Sequence, residues 1–161
     1  MDNQIFLLVD QVRSLYNVGS IFRIADAVGV EKIYLSGYSG IEIINGKPQL
    51  HAKIIKTGLE GVNTSWEYIE NPIDFIKKLN IKEIKIYALE LTKNSQEYTE
   101  IKYCFPLCLI VGHEREGVNK KLLDLSDNVI KIPMYGKGKS LNVAIATAIV
   151  LYEIKKYEQY I

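Results

Sequence analysis

The chain has 161 residues, a formal net charge of +1, and 48% hydrophobic and 24% charged residues, as expected for one globular domain spanning 1–161. Its start lacks a signal-peptide pattern, and no apolar run reaches membrane-spanning length. We therefore expect a cytoplasmic protein without a membrane partner. Cys104 and Cys108 have no other cysteine or histidine cluster beside them, which favours buried, reduced thiols over a metal site or a disulfide.

Short apolar runs and helix signals alternate along the chain. Strands are predicted at Ile5–Val9, Lys32–Leu35, Ser65–Ile69, Ile84–Leu89, from Pro106 or Leu107 to Val111, and at Val129–Ile132. Helices are predicted at Asn17–Val30, from the Asn71-Pro72 pair onward, at Asn119–Leu125, and from Ser140 to about Tyr157. The stretch from Tyr38 to Gly61 is irregular and rich in glycine. This alternation predicts an α/β fold, with a mostly parallel sheet covered by helices on both faces.

The first polar motif is Asn17-x-Gly19-x-x-x-Arg23 at the start of the first predicted helix. Helical spacing stacks Gly19 and Arg23 one turn apart, opposite an apolar stripe within 21–28. A guanidinium beside a helix N-terminus suits a phosphate group. The alternative is an Asn17 cap and a surface arginine paired with Asp26, and the segment taken alone favours this second interpretation.

The second motif follows the apolar strand at 107–111, where Gly112 and Gly117 bracket four charged or titratable residues. One interpretation brings the Gly112 backbone close to a ligand and places Glu114 in a polar network. The alternative is a tight turn with solvated charges. His113 has no identifiable partner in the sequence, which indicates a loop residue rather than a catalytic base.

The third motif covers Ile132–Glu153, where a glycine- and lysine-rich loop precedes Ser140 and an apolar predicted helix. The triplet at 138–140 is similar to the end of a phosphate-binding P-loop. That motif requires glycine five positions before Gly138, and Pro133 stands there, so a P-loop is excluded. No glycine fingerprint for a dinucleotide follows any predicted strand either.

Taken together, the three motifs resemble those of the SpoU (TrmH-like) family within the SPOUT superfamily of RNA methyltransferases. The resemblance lies in the order and spacing of N-x-G-x-x-x-R, L-I-V-G-x-E-x-x-G, and I-P-M followed by S-L-N-V. It extends to V-D-Q-V-R-S-L-Y and K-T-G-L-E-G, and thus to nearly the whole chain. Each motif alone is weakly specific, whereas the ordered set is specific.

The resemblance implies 2′-O-ribose methylation of RNA with S-adenosylmethionine as cofactor, a C-terminal trefoil knot and a homodimer, without a metal. Carried over, the residues with a catalytic role are Arg23, Asn17, Glu114, Ser140 and Asn142. Those implied in cofactor binding are Leu89, Gly112, Ile132, Met134, Ser140 and Leu141. Both tRNA and rRNA are open as substrates, and the similarity around 10–23 favours guanosine as the target. The alternative is an RNA-binding protein that keeps the knotted fold without methyltransferase activity.

The resemblance also frames the role of Arg23. A guanidinium stays protonated in proteins, so we expect Arg23 to bind phosphate and stabilise charge on the 2′-oxygen rather than act as a base. Basic side chains are further candidates for RNA phosphate contacts, with ordinary solvated surface positions as the alternative. These candidates are Arg13, Lys53, Lys56, Lys131, Lys137 and Lys139.

Overall fold

The computed structural model describes residues 3–59 and 61–158. Within them, the strands in chain order are β1 (Ile5–Asp10), β2 (Lys32–Ser36), β3 (Ile41–Ile44), β4 (Lys47–Leu50), β5 (Ser65–Ile69), β6 (Lys85–Leu89), β7 (Gln96–Glu97), β8 (Leu107–Val111) and β9 (Asn128–Lys131). The helices are α1 (Leu15–Val28), α2 (Ala52–Gly58), α3 (Pro72–Ile81), α4 (Lys120–Asp124) and α5 (Val143–Glu158). Seven of these strands form one sheet in the order β5-β2-β1-β8-β6-β9-β7, and all its pairings are parallel.

Both faces of this sheet are covered by helices. Along β1, Leu7 and Val9 join the apolar cluster that contains residues of α1, α2 and α5. Leu8 points to the opposite cluster, which contains Ile76 of α3 and Leu122 of α4. Successive strand residues face opposite sides, so a strand buried on both sides is apolar throughout. The predicted fold class is confirmed.

Helix α1 begins two residues earlier than predicted. Ser14 is its N-cap, and the Ser14 hydroxyl accepts a hydrogen bond from the Asn17 amide (3.3 Å). The helix ends at Val28, before Gly29 in the left-handed conformation (φ 79°) that commonly terminates helices. The prediction of a helix over 17–30 with Asn17 at its cap was therefore wrong at both ends, and the Asn17 side chain is available for other partners.

Helix α5 begins at Val143, three residues after the predicted start at Ser140. Asn142 caps it, because its Oδ1 accepts hydrogen bonds from the amides of Ala144 (2.9 Å) and Ile145 (3.3 Å). The residues 140–142 are not helical. The apolar surface of α5 is only partly covered by the rest of the chain, since Ile145 and Tyr152 are each 55% exposed.

An antiparallel hairpin of β3 and β4 lies in the glycine-rich stretch that was predicted to be irregular. Asn45 and Gly46 join its strands, both with positive φ (51° and 73°). Asn-Gly at a two-residue loop is typical of hairpins because both positions need positive φ. The short helix α2 follows the hairpin directly, and neither element was predicted.

The sheet brings the carboxyl ends of β6, β8 and β9 side by side. The loops that follow these strands therefore meet at one edge. Near the end of α5, Tyr157 packs edge-to-face on Tyr103 (5.8 Å between ring centroids), which lies in the segment between β7 and β8. This arrangement is consistent with the expected trefoil knot, which stays a prediction.

No helix in the described ranges is long and apolar enough to cross a membrane.

Candidate active site

A cavity of about 180 Å³ opens at the carboxyl ends of β6, β8 and β9. Three loops frame it, each following one of these strands. All six residues that the resemblance implied in cofactor binding line it: Leu89, Gly112, Ile132, Met134, Ser140 and Leu141. Apolar side chains and loop backbone make up much of this lining, a mixture typical of small-molecule sites.

The Glu114 carboxylate fixes the start of α1 against the loop after β8. Its Oε2 accepts a hydrogen bond from the Arg13 amide, and its Oε1 accepts from the Ser14 amide, each at 3.0 Å. Oε1 also accepts from Nδ2 of Asn17 (3.0 Å). A carboxylate at a helix N-terminus is favoured by the unpaired amides and the helix dipole there. The expected polar network around Glu114 is therefore present, and its donors come from α1 and the segment before it.

The same network continues into α5. Oδ1 of Asn17 accepts a hydrogen bond from Nδ2 of Asn142 (2.9 Å), while Oδ1 of Asn142 caps α5. Glu114, Asn17 and Asn142 thus form one hydrogen-bonded chain that joins all three sequence motifs. We call this chain the carboxylate–amide relay. Asn17 has one donor and one acceptor engaged, so its amide orientation is fixed by its two partners.

Two opposing effects act on the pKa of Glu114. Partial burial of the carboxylate raises the pKa, while hydrogen bonds from the amides of Ser14 and Arg13 and from Asn17 lower it. The hydrogen bonds prevail, and the pKa of Glu114 lies below its ordinary value of 4.5. Glu114 is therefore a carboxylate at neutral pH, which suits an anchoring role rather than proton transfer.

The Glu90 carboxylate joins two of the three loops, and the sequence analysis did not identify it. Its Oε1 accepts a hydrogen bond from the Leu91 amide (2.9 Å), and its Oε2 accepts from the Val118 amide (2.8 Å). Gly117 lies against this carboxylate at a φ of +72°, and a side chain there would overlap Glu90. A polar residue directly after a predicted strand was the only sequence signal for Glu90.

Gly112 lies in a tight turn, one of the two interpretations that its sequence context left open. A side chain at Gly112 would collide with the backbone of Gly117, 2.5 Å from its carbonyl oxygen, and with Val118. Gly112 therefore permits the loop to fold back on itself, and its place in the cavity lining follows from that turn. His113 supports the same turn, since its Nδ1 accepts hydrogen bonds from the amides of Arg115 (3.0 Å) and Glu116 (3.1 Å). His113 is a loop residue, as its sequence context indicated.

Of the other candidate catalytic residues, Ser140 lies at the cavity and Arg23 does not. Ser140 lines the cavity with Leu141, whereas Arg23 lies on the exposed side of α1 and lines neither this cavity nor the open one between α1 and α5. Asn17 and Asn142 border that second cavity. Gly19 lies one turn before Arg23 in α1 and is buried.

Three basic side chains line the first cavity. Lys131 and Lys139 line it, as does Arg115, which the sequence analysis did not select. Lys137 is exposed in the same loop as Lys139, and Lys53 and Lys56 lie on α2. Arg115, Lys131 and Lys139 form a basic rim of the cavity, beside the carboxylates of Glu90 and Glu114.

The titratable groups do not indicate a metal. In the described ranges, no group of three or more His, Cys, Asp or Glu side chains could hold a metal ion. Both cysteines are free thiols. Cys108 is buried, and burial raises the pKa of its thiol to about 12, whereas Cys104 is exposed, contrary to expectation.

The fold and the cavity define an α/β protein with a ligand site at the carboxyl edge of a parallel sheet, between the three loops that follow β6, β8 and β9. Residues 4–152 match the model of the SpoU rRNA Methylase family. This chain belongs to the SpoU family, as its three motifs predicted.

Named relatives agree with this assignment. The chain is 35% identical over 158 residues to the tRNA (guanosine(18)-2′-O)-methyltransferase of Aquifex aeolicus, covering 96% of this chain and 70% of that protein. It is 31% identical over 156 residues to the 23S rRNA (guanosine(2553)-2′-O)-methyltransferase RlmP of Bacillus subtilis, covering 92% and 57%. The crystal structure of the AdoMet-bound rRNA methyltransferase from Sinorhizobium meliloti is 28% identical, with a TM-score of 0.84, over 98% of this chain and 57% of that one. This chain therefore spans between about half and three quarters of the length of these proteins.

Proposed function

We propose that this protein transfers the methyl group of S-adenosylmethionine to the 2′-hydroxyl of a ribose in RNA. The observation that carries the proposal is the carboxylate–amide relay beside the cavity, because it joins the three family motifs at one place. Relatives of this chain are named tRNA and rRNA (guanosine-2′-O)-methyltransferases.

The cavity lining suits this cofactor. Leu89, Ile132 and Leu141 offer apolar surface for an adenine ring and the methionine chain, and the backbone of the three loops offers donors and acceptors. When bound, S-adenosylmethionine supplies a methyl group activated by its sulfonium. Glu90 joins the loops after β6 and β8, and Glu114 joins the loop after β8 to the start of α1, so both carboxylates support this surface.

Arg23 acts on the RNA. Its exposed position on α1 suits contact with a phosphate next to the target ribose and stabilisation of negative charge that develops on the 2′-oxygen. Asn17 and Asn142 orient the N-termini of α1 and α5, while Ser140 presents a hydroxyl at the cavity. Proton acceptance falls to the RNA phosphate or to water, because the arginine stays protonated.

The substrate we propose is a guanosine in tRNA or rRNA, because the relatives named above act on guanosines in both kinds of RNA. Lys131, Lys139 and Arg115 at the cavity rim provide phosphate contacts. The RNA contacts come from the catalytic domain together with a second copy of the chain. We place this reaction in the cytoplasm.

The homodimer is proposed on an apolar face shared by α1 and α5. Tyr16 is 75% exposed, and Ile145 and Tyr152 are also largely exposed on these helices. Ile24 and Ile149, on the same two helices, border the open cavity between α1 and α5. Contiguous exposed apolar surface of this kind is typical of a protein interface.

The deciding experiment is a methyl-transfer assay on tRNA and rRNA transcripts with labelled S-adenosylmethionine, followed by mass mapping of the modified nucleotide. We expect 2′-O-methylguanosine at one position. Arg23→Lys should abolish most turnover while the cofactor affinity, measured by calorimetry, stays near that of the wild type. Normal turnover in this variant would remove Arg23 from the mechanism.

Two further measurements test this proposal; the first distinguishes it from the alternative of an RNA-binding protein without methyltransferase activity. Calorimetry that detects no binding of S-adenosylmethionine would favour that alternative. RNA affinity should fall steeply with salt concentration, since phosphate contacts release counterions. An affinity independent of salt would contradict the proposed basic rim.

A further inference from the structure

Tyr38 is an exposed aromatic residue beside the cavity, and nothing in the mechanism above uses it. It follows β2, at the same edge of the sheet as the cavity, and 49% of its surface is exposed. Its ring stands edge-to-face to the ring of His113, with 6.5 Å between the centroids and an angle of 81°. His113 itself lines the cavity. Two flat side chains therefore meet at the mouth of the site.

The turn that carries Tyr38 is held on both sides. The Ser39 hydroxyl accepts a hydrogen bond from the Val12 amide (2.9 Å), and the Ser39 amide donates to the Ser36 carbonyl (3.3 Å). Ser36 and Ser39 are completely buried. An exposed tyrosine on such a fixed turn has only its own two side-chain torsions to order, so binding through it costs little conformational entropy.

His113 is oriented by its hydrogen bonds. Its Nδ1 accepts from the amides of Arg115 and Glu116, so the ring proton resides on Nε2. The ring thus offers an N–H donor at Nε2 in a fixed orientation. Guanine presents acceptors at O6 and N7, which match such a donor.

We propose that Tyr38 and His113 form a nucleobase site that holds the base of the nucleotide to be methylated. The base stacks on the exposed part of the Tyr38 ring, and Nε2 of His113 donates a hydrogen bond to an acceptor on the base. Unpaired RNA bases are commonly bound by stacking on aromatic side chains in this way. The inference rests on the proposed function and adds a substrate-positioning site to it.

The test compares Tyr38→Ala with Tyr38→Phe, which keeps the ring. Stacking on one aromatic side chain changes affinity by roughly 5- to 150-fold. We expect Tyr38→Ala to raise the KM for RNA and weaken RNA binding within that range, with cofactor affinity unchanged, while Tyr38→Phe stays within about twofold of wild type. Thermal melting of both variants checks that the fold is intact.

His113→Asn is the second arm of the test. The asparagine Oδ1 can accept the hydrogen bonds from Arg115 and Glu116, whereas the donor at Nε2 is lost. We expect a raised RNA KM, as for Tyr38→Ala. If wild-type protein methylates RNA and both variants keep its RNA KM, the nucleobase site is refuted and the proposed function stands. If wild-type protein binds RNA without methylating it, and Tyr38→Ala still weakens that binding, the nucleobase site is supported and the proposed function fails.

Discussion

Glu114 satisfies three donors with one carboxylate, so its replacement affects the start of α1 directly. A glutamine has one acceptor oxygen, and its amide group would face a donor. We expect Glu114→Gln to lower the free energy of unfolding by about 0.5–1.5 kcal/mol at pH 7, the usual net contribution of a hydrogen bond, because these donors are only partly buried. Denaturant unfolding measures this loss. Glu116→Gln, at an exposed carboxylate in the same loop, is the matched control and should leave stability unchanged within about 0.5 kcal/mol.

The lowered pKa of Glu114 also predicts a pH dependence. Because the folded state holds the ionised form, Glu114 stabilises the protein above its ordinary pKa of 4.5, and this stabilisation disappears as the pH falls through the lower folded pKa. The difference in unfolding free energy between wild type and Glu114→Gln should therefore shrink as the pH falls below 4.5. A difference that grows with acidity would contradict the anchoring role of the carboxylate.

Gly117 and Gly46 share nearly the same φ, +72° and +73°, but only Gly117 lies against a neighbour, the Glu90 carboxylate. Alanine at Gly46 meets open space and should cost about 1–2 kcal/mol from its backbone conformation alone. Alanine at Gly117 should cost more and should also weaken cofactor binding, because Glu90 must move. Unfolding and calorimetry on both variants measure the difference. Equal costs, with cofactor affinity retained, would show that Glu90 does not set the loop spacing.

At the residue scale, the sequence singled out the motif residues but did not predict their hydrogen-bond partners. Asn17 looked like a helix cap because it precedes a helical pattern, whereas Ser14 caps the helix and Asn17 binds Glu114 and Asn142. Those partners lie 97 and 125 residues away along the chain. Local spacing contains no signal for contacts of that kind, and only the resemblance to a family placed these residues at one site.

Among the elements, α5 depends on a cap that also takes part in the site. Asn142→Ala removes this cap together with the donor to Asn17, whereas Asn71→Ala removes the matching cap of α3, far along the chain. Each should lower stability by about 0.5–2 kcal/mol. Only Asn142→Ala should reduce methyl transfer, beyond what its stability loss explains. Comparable activity in the two variants would limit Asn142 to capping α5.

The sequence predicted six of the seven strands of the sheet, because continuous apolar runs are typical of buried strands in an α/β fold, and it missed the two-residue strand β7. β5 and β8 have the predicted bounds, and α3 has the predicted Asn71 cap. The hairpin was missed, although Asn45-Gly46 between alternating residues indicates one. The start of α5 was misplaced by three residues, since Ser140 and Asn142 are both favoured as caps and only the fold selects between them.

For the molecule as a whole, the exposed apolar face on α1 and α5 predicts self-association. Ile145→Lys places a charge in that face and should shift the protein towards a monomer. Ile81→Lys is the control, because Ile81 is 82% exposed at the end of α3 and belongs to neither cavity. Sedimentation of wild type and both variants measures the result. A monomeric wild type, or a dimer unaffected by Ile145→Lys, would contradict the proposed interface.

The position of the cavity could be predicted from topology alone. Loops after parallel strands gather at one edge of a sheet, so the segments after β6, β8 and β9 lie together once these strands are neighbours. The strand order that makes β6, β8 and β9 neighbours is not written in any local pattern, however. It depends on which strand inserts beside which, and that is decided by packing across the whole chain.

The carboxylate–amide relay also constrains the order in which the protein can mature. Glu114 and Asn17 can meet once β8 and α1 have formed, but Asn142 must arrive from a segment that follows every strand of the sheet. Contacts of such sequence separation form late, because they carry the largest loop-closure entropy. A nascent chain can thus assemble most of its core while its site is still open. Activity would then return only after the last step of folding. If α5 docks slowly, activity recovers later than secondary structure during refolding.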